Sequence, residues 1–157
     1  MSAFFRRAQK TIHILGRKLE MMVSTKGRYA LRVMIDLAQQ GGAGYIPLKD
    51  IAQRQGLSEK YLESIVKLLA RNGDLAGVRG KGGGYRLTRA PKDYSVGAIL
   101  RLTEGKLSPV NCQALEGLCE NAAQCRTRPL WEKLDAMVEE YLDGVTLADL
   151  LEGPGGD

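Results

Sequence analysis

Three cysteines fall within fourteen residues: Cys112, Cys119 and Cys125, spaced C-x6-C-x5-C. Thiolates gathered on one stretch are soft ligands, suited to an iron–sulfur cluster or to zinc. Structural zinc usually takes four protein ligands, often as C-x2-C pairs, and such pairs are missing here, so the spacing leans toward iron–sulfur. Three thiolates leave one coordination position to fill. The single histidine, His13, lies far upstream, so Gln113, Glu116, Glu120 or a group from another subunit are the candidates. An arginine guanidinium has no lone pair to offer. The competing reading is three ordinary thiols in a loop. A catalytic cysteine fits less well, because no histidine stands nearby to activate it.

A second stretch with chemical potential is Arg79-Gly80-Lys81-Gly82-Gly83-Gly84. The Walker phosphate loop needs Gly-Lys followed by Ser or Thr, and Gly82 follows Lys81 here. The dinucleotide fingerprint should run into a helix, yet Tyr85-Arg86-Leu87 continues as strand with Pro91 soon after. Neither nucleotide motif fits. Leu75 to Val78 and Tyr85 to Thr88 instead read as a hairpin around a glycine-rich tip. Arg79 and Lys81 on that tip could enter a minor groove or grip phosphate, or form a solvated basic turn.

The elements that must position these residues follow from caps and periodicity. Ser24 caps a helix whose Ala30, Val33, Met34, Leu37 and Ala38 recur at helical spacing through Gln40. Pro47 opens a short helix from Leu48 to Gln55, and Gly56 makes the turn. Ser58 caps a third helix with Tyr61, Leu62, Ile65, Leu68 and Leu69 as its buried stripe. Lys60, Glu63, Ser64, Lys67 and Arg71 are left outward. A short helix, a tight turn, a longer capped helix and a hairpin make a winged helix-turn-helix, although amphipathic helix pairs also occur in any bundle. Ser95 caps a fourth helix ending near Gly105, with Val96, Ile99, Leu100 and Leu102 buried. A last helix starts near Thr127-Arg128-Pro129. Its apolar residues Leu130, Trp131, Leu134, Met137, Val138, Tyr141 and Leu142 make a stripe too wide for one small domain to hide. Packing on the same helix of a second chain would cover it; folding back on its own domain is the alternative.

The fold class expected is mainly α with a small β-hairpin wing: a winged helix-turn-helix domain plus a long C-terminal dimerisation helix. Its parts are residues 21–90 (DNA-binding domain), 91–126 (linking helix and cysteine loop), 127–152 (dimerisation helix and short C-terminal element) and 153–157 (tail). Residues 1–20 are set apart. They imitate a transit peptide in being Arg-rich, or mark a translation start assigned upstream of Met21 or Met22.

The net charge of +5 is unevenly divided. Residues 21–90 hold twelve Lys and Arg against five Asp and Glu, whereas residues 91–157 hold six against twelve. A basic front suits a polyanion, because each phosphate neutralised releases a counterion. The acidic rear suits assembly or sensing. No apolar run is long enough to span a membrane, and an odd cysteine count argues against a secreted disulfide scaffold, so a cytoplasmic protein is expected.

Ser24-Thr25-Lys26-Gly27-Arg28-Tyr29-Ala30-Leu31-Arg32 resembles the opening of the iron–sulfur cluster regulator (IscR) family of winged-helix transcription factors. So do Ile51 through Ser58, Tyr61-Leu62-Glu63, Val78-Arg79-Gly80 through Gly82-Gly83-Gly84-Tyr85, Cys112, and Thr127 to Trp131. The resemblance covers nearly everything from Met21 to about Glu152. It implies a homodimer on double-stranded DNA with a partly palindromic operator, and no enzymatic activity. The helix capped by Ser58 would enter the major groove with Lys60, Glu63 and Ser64 at base edges and Lys67 beside them, and the wing with Arg79 and Lys81 the minor groove. Thr25, Lys26 and Arg28 would hold phosphate. Cys112, Cys119 and Cys125 match the family's cluster cysteines, implying an iron–sulfur cluster, 2Fe–2S rather than 4Fe–4S. Two departures bear on cluster type and fourth ligand: the first cysteine interval is one residue longer than in the best-known form, and Arg128 stands where that form has a histidine. The expected function is a transcription regulator, typically a repressor, sensing iron–sulfur, redox or nitric oxide status. The alternatives are a cluster-independent relative, such as a cysteine-metabolism repressor, and an iron–sulfur redox protein.

Overall fold

The computed structural model describes residues 23–42, 44–108, 110, 119 and 121–153. His13, Cys112, Gln113, Glu116 and Glu120 lie outside them. Among the described residues, six α-helices and one hairpin follow in the order α1 (Thr25–Gln40), α2 (Leu48–Gln55), α3 (Glu59–Arg71), β1 (Leu75–Val78), β2 (Gly84–Leu87), α4 (Val96–Glu104), α5 (Arg128–Gly144) and α6 (Leu147–Glu152). Short 3-10 turns occupy Pro91–Asp93 and Ala122–Gln124.

Caps set the helix starts. Ser24, Ser58 and Ser95 each accept a hydrogen bond from the backbone N–H three residues on, satisfying donors that the first turn leaves free. Gly56, at φ 65°, turns the chain between α2 and α3 in a conformation that side-chain-bearing residues avoid. Thr146 and Asp149 form a reciprocal capping box on α6.

One core joins these elements. Ala30, Val33, Met34 and Leu37 of α1 meet Ile51 and Ala52 of α2 and Leu62, Ile65, Val66 and Leu69 of α3. Leu75, Tyr94, Ile99 and Leu147 close it. Within α3 the buried stripe differs from the periodicity reading: Tyr61 is 37% exposed and Val66 is fully buried. Tyr61 sits in the first turn, where its ring packs edge-on against Tyr29 rather than entering the core. Leu68 and Leu102 are also only partly buried.

The wing pairs β1 with β2 antiparallel, from Leu75 opposite Leu87 to Val78 opposite Gly84. A third segment joins it through reciprocal backbone hydrogen bonds between Ile46 and Tyr85, 2.9 and 2.8 Å. Gly84 permits that approach, since a Cβ there would lie 2.1 Å from the Ile46 carbonyl oxygen.

The C-terminal part is tied to the same body. Val96 N donates to Val145 O and Leu147 N to Tyr94 O, at 2.8 and 3.0 Å. Arg101 pairs with Asp143 across α4 and α5. Leu147 is fully buried against a core made mostly of residues before 90. Leu147→Ala should therefore cost about 2–5 kcal/mol of global stability, read as one cooperative shift in urea melts followed at both Trp131 and far-ultraviolet bands. Leu150→Ala, at a 40% exposed position, should cost less than about 1 kcal/mol.

Candidate nucleic-acid interface

Side-chain direction on α3 divides the helix. Leu62, Ile65, Val66 and Leu69 hold it in the core, which turns Lys60, Glu63, Ser64 and Lys67 to solvent. The outward groups are not all idle. Lys67 Nζ lies 2.7 Å from Glu63 Oε1, and this hydrogen bond and charge, with Lys60 adding a little, hold the Glu63 carboxyl below its ordinary pKa. Ser64 Oγ donates to Tyr61 O at 2.8 Å. Glu63 thus presents carboxylate oxygens as acceptors, while the Ser64 proton is engaged within the helix.

The first turns of α1 stand beside those of α3. The Tyr29 and Tyr61 rings meet at 5.8 Å between centroids and 84° between planes, an edge-to-face geometry that aromatic quadrupoles favour. Thr25, Lys26 and Arg28 are on this end of α1, with Arg28 Nη2 donating to Thr25 Oγ1 at 3.2 Å. Arg32 lies over the Tyr29 ring at 5.3 Å and donates to the Gln55 side chain and carbonyl.

Below this surface α1 and α2 are locked. Asp36 is almost fully buried and accepts from Arg54 Nε at 2.9 Å, Arg54 Nη2 at 2.7 Å and Gln55 Nε2 at 3.1 Å. The planar fork of Arg54 against both carboxylate oxygens is directional as well as attractive, and the hydrogen bond to Asp36 raises the Arg54 pKa. The angle between the two helices that carry α3 is therefore set by charge as well as by packing. Periodicity gave no sign of this lock, whose partners lie 18 residues apart on different helices.

Arg79 and Lys81 are exposed on the wing tip, where Gly80 and Gly82 adopt φ of 93° and 77°. Among the described residues no hydrogen bond or ion pair engages either cation. Nearer the root, Arg86 covers the Tyr45 ring at 4.9 Å. The sequence-derived candidates thus form two groups, the adjoining starts of α1 and α3 and the separate wing tip.

On the cysteine side, Cys119 is exposed and Cys125 half-buried just before α5. Cys125 Sγ lies 3.3 Å from Thr127 Oγ1. That hydroxyl, then the Thr127 and Arg128 backbone and the Arg128 charge, lower the thiol's pKa. Arg128 pairs with Glu132 at 2.7 Å. Among the described residues no three His, Cys, Asp or Glu side chains gather as a metal site; Cys112 is not one of them. The root of the cysteine stretch makes two contacts. Glu104 Oε1 accepts from Ser24 Oγ at 2.5 Å, and Lys106 Nζ lies 3.5 Å from Oδ2 of the buried Asp135 in α5.

The apolar stripe of α5 splits into two seams stepping by four, three and four residues. Trp131, Asp135, Val138 and Leu142 are buried or half-buried, and Leu130, Leu134, Met137 and Tyr141 are exposed, Tyr141 by 71%. A 3.5-residue period is that of helices packed along their length against a partner.

Comparison with known proteins agrees with this architecture. The Rrf2 family model, described as an iron-dependent transcriptional regulator, matches residues 23–153. The chain is 40% identical over 131 residues to the HTH-type transcriptional regulator IscR of Erwinia tasmaniensis, covering 83% of this chain and 79% of that one. Among solved structures, T. potens IscR matches with a TM-score of 0.66 and 43% identity over 88% of each chain. CymR, the global cysteine regulator of B. subtilis, matches with a TM-score of 0.70 and 44% identity, covering 83% of this chain and 96% of that one.

Proposed function

The chain belongs to the Rrf2 family of DNA-binding transcriptional regulators, and on that premise we propose a cytoplasmic homodimer that represses at a partly palindromic operator and responds to an iron–sulfur cluster. The observation that carries the DNA-reading part is the joined pair of helix starts. Edge-to-face stacking of Tyr29 on Tyr61 sets the Thr25, Lys26 and Arg28 turn beside the outward face of α3.

In this reading α3 lies in the major groove with Ser58 and Lys60 at its leading end. Glu63 accepts from a cytosine amino group, Ser64 is a weak reader because its proton is spent on Tyr61, and Lys67 steadies Glu63. Thr25, Lys26 and Arg28 hold phosphate, and Arg79 and Lys81 reach the minor groove. The outer seam of α5 is the dimer contact, which spaces two α3 helices for two half-sites.

Cys112, Cys119 and Cys125 would hold the cluster. Three soft thiolates, one with its pKa already lowered, suit iron better than a hard cation. When bound, the cluster, taken as 2Fe–2S, supplies a redox- and iron-dependent tether for the loop. Glu104 and Lys106, at the loop's root, pass its state to Ser24 of α1 and Asp135 of α5. A second reading, a regulator of cysteine metabolism working without a cluster, is favoured by the likeness to B. subtilis CymR.

Three measurements test these parts. With a duplex enriched by the wild-type protein from a random pool, Arg79→Ala should lower the log–log salt slope by about one unit per protomer, and Lys60→Ala should cost about 1–3 kcal/mol; unchanged binding in both overturns the operator reading. Met137→Glu should turn a dimer into a monomer by light scattering; an unchanged mass there and in Leu134→Glu removes α5 as the interface. Protein purified without oxygen should be coloured and contain iron and sulfide, both lost on Cys125→Ala; a colourless, iron-free protein with normal operator affinity favours the cysteine-metabolism reading.

A further inference from the structure

The open end of the wing is closed by one side chain from outside it. Tyr94, after the hairpin and just before α4, is 2% exposed. Its hydroxyl accepts from Thr88 N at 3.0 Å and Arg89 N at 2.9 Å and donates to Asp74 O at 2.9 Å. Those three bonds fill the donor and both acceptor positions of a phenol oxygen. Asp74 precedes β1, and Thr88 and Arg89 follow β2, so the phenol ties the two strand ends together. The ion pair around it repeats the tie. Arg89 Nη2 lies 2.5 Å from Asp74 Oδ1 while its guanidinium covers the Tyr94 ring at 4.3 Å, and Asn72 Nδ2 donates to Asp74 Oδ2 at 2.8 Å.

The wing is short enough for this to matter. Each strand has four residues, so Arg79 stands about 13 Å from the root at about 3.3 Å per residue. A tilt of about 10° at the root would move the tip by about 2 Å, enough to break a hydrogen bond to phosphate. The Ile46–Tyr85 bridge holds one edge of the hairpin, and Leu75 and Leu87 seat it on the core. Beyond their last ladder pair, Leu75 with Leu87, the two strands are joined by the phenol and its ion pair and by Thr88, whose N donates to Asp74 O at 3.2 Å and whose Oγ1 donates to Gly73 O at 2.7 Å.

We propose that Tyr94, with Asp74 and Arg89, is a positioning device for DNA recognition: it fixes the hairpin's angle so that Arg79 and Lys81 meet the duplex. The proposal deepens the DNA-binding reading of the wing and rests on it. Tyr94 touches no DNA, and its role is distinct from core filling because the ring, not the hydroxyl, fills the core.

The test uses the full chain, the same pool-enriched duplex and binding measured over a range of salt. Tyr94→Phe keeps the ring and removes the hydroxyl. It should lower the log–log salt slope by at least the one unit or so per protomer that Arg79→Ala removes, and by about two where Lys81 is displaced with it. Arg79→Ala added to Tyr94→Phe should then change affinity by less than about twofold, since a displaced tip has no Arg79 contact left to lose. A protein merely less stable would lose active fraction without any change of slope. Should Tyr94→Phe fold poorly, Arg89→Met breaks the ion pair at the half-exposed root and should show the same non-additivity with Arg79→Ala. If Arg79→Ala lowers the slope but Tyr94→Phe and Arg89→Met keep the wild-type slope, or their losses multiply with that of Arg79→Ala, the proposal is overturned and the wing reading stands. A wild-type slope in Arg79→Ala itself overturns both.

Discussion

Burial of α1 is the constraint on which the rest of this structure depends. Ala30, Val33 and Met34 are fully buried and Leu37 is nearly so. The helix is packed by α2, α3, β2, α4 and α6 together. Val33, Met34 and Leu37 each contribute about 1.5–3 kcal/mol on removal from water, a large share of the 5–15 kcal/mol that a domain nets. The helix that stabilises the body is also the one whose first turn carries Thr25, Lys26 and Arg28. Its position relative to α3 is therefore no looser than the core itself. Gly27 shows how tight the fit is on the far side, since a Cβ there would lie within 3.1 Å of Thr103 Oγ1 and Val23 and closer still to Glu104.

The two ends of the molecule solve opposite problems. At the front, Arg79 and Lys81, the cations proposed to meet phosphate, stand exposed on a glycine turn, and no acid among the described residues pairs with them. At the rear, an apolar face of α5 stays exposed without the helix collapsing onto its own domain. Asp135 bears on that. It takes a place in the inner seam of α5 that a leucine would fill, and its Oδ1 has no hydrogen-bond partner among the described residues. A buried carboxylate limits how much the inner seam gains by closing further. The outer seam of Leu130, Leu134, Met137 and Tyr141 is left as the face with apolar area to bury.

Elements that announce themselves locally were legible in the sequence. Ser24, Ser58 and Ser95 mark helix starts, Gly56 marks a turn, and the glycines after Arg79 mark a hairpin tip, because caps and positive φ are decided within a few residues. What was not legible is long in sequence or subtle in angle. Tyr61 satisfies the apolar spacing of α3, yet its place in the first turn lets it reach Tyr29 instead of the core. The Ser24–Glu104 contact spans 80 residues and the Tyr94–Asp74 contact 20, and nothing in periodicity pairs them. For the cysteines the chemistry of the residue type was readable, whereas its assembly depends on residues beyond those described.

The long-range contacts also bear on how much a sensor needs to do. A tenfold change in operator affinity requires about 1.4 kcal/mol. One hydrogen bond to a charged group is worth about 1.5–3 kcal/mol, so the bond from Ser24 to Glu104 is of the required size by itself. Ser24 Oγ donates to Glu104 with its only proton and accepts from Gly27 N with a lone pair. Moving Glu104 would disturb the cap of α1 at the turn bearing Thr25, Lys26 and Arg28. Lys106, two residues on, bears in the same way on Asp135 of α5. A change confined to the cysteine stretch therefore has two short levers, one on the turn proposed to hold phosphate and one on the helix proposed to set the distance between half-sites. No rearrangement of the core is needed for either.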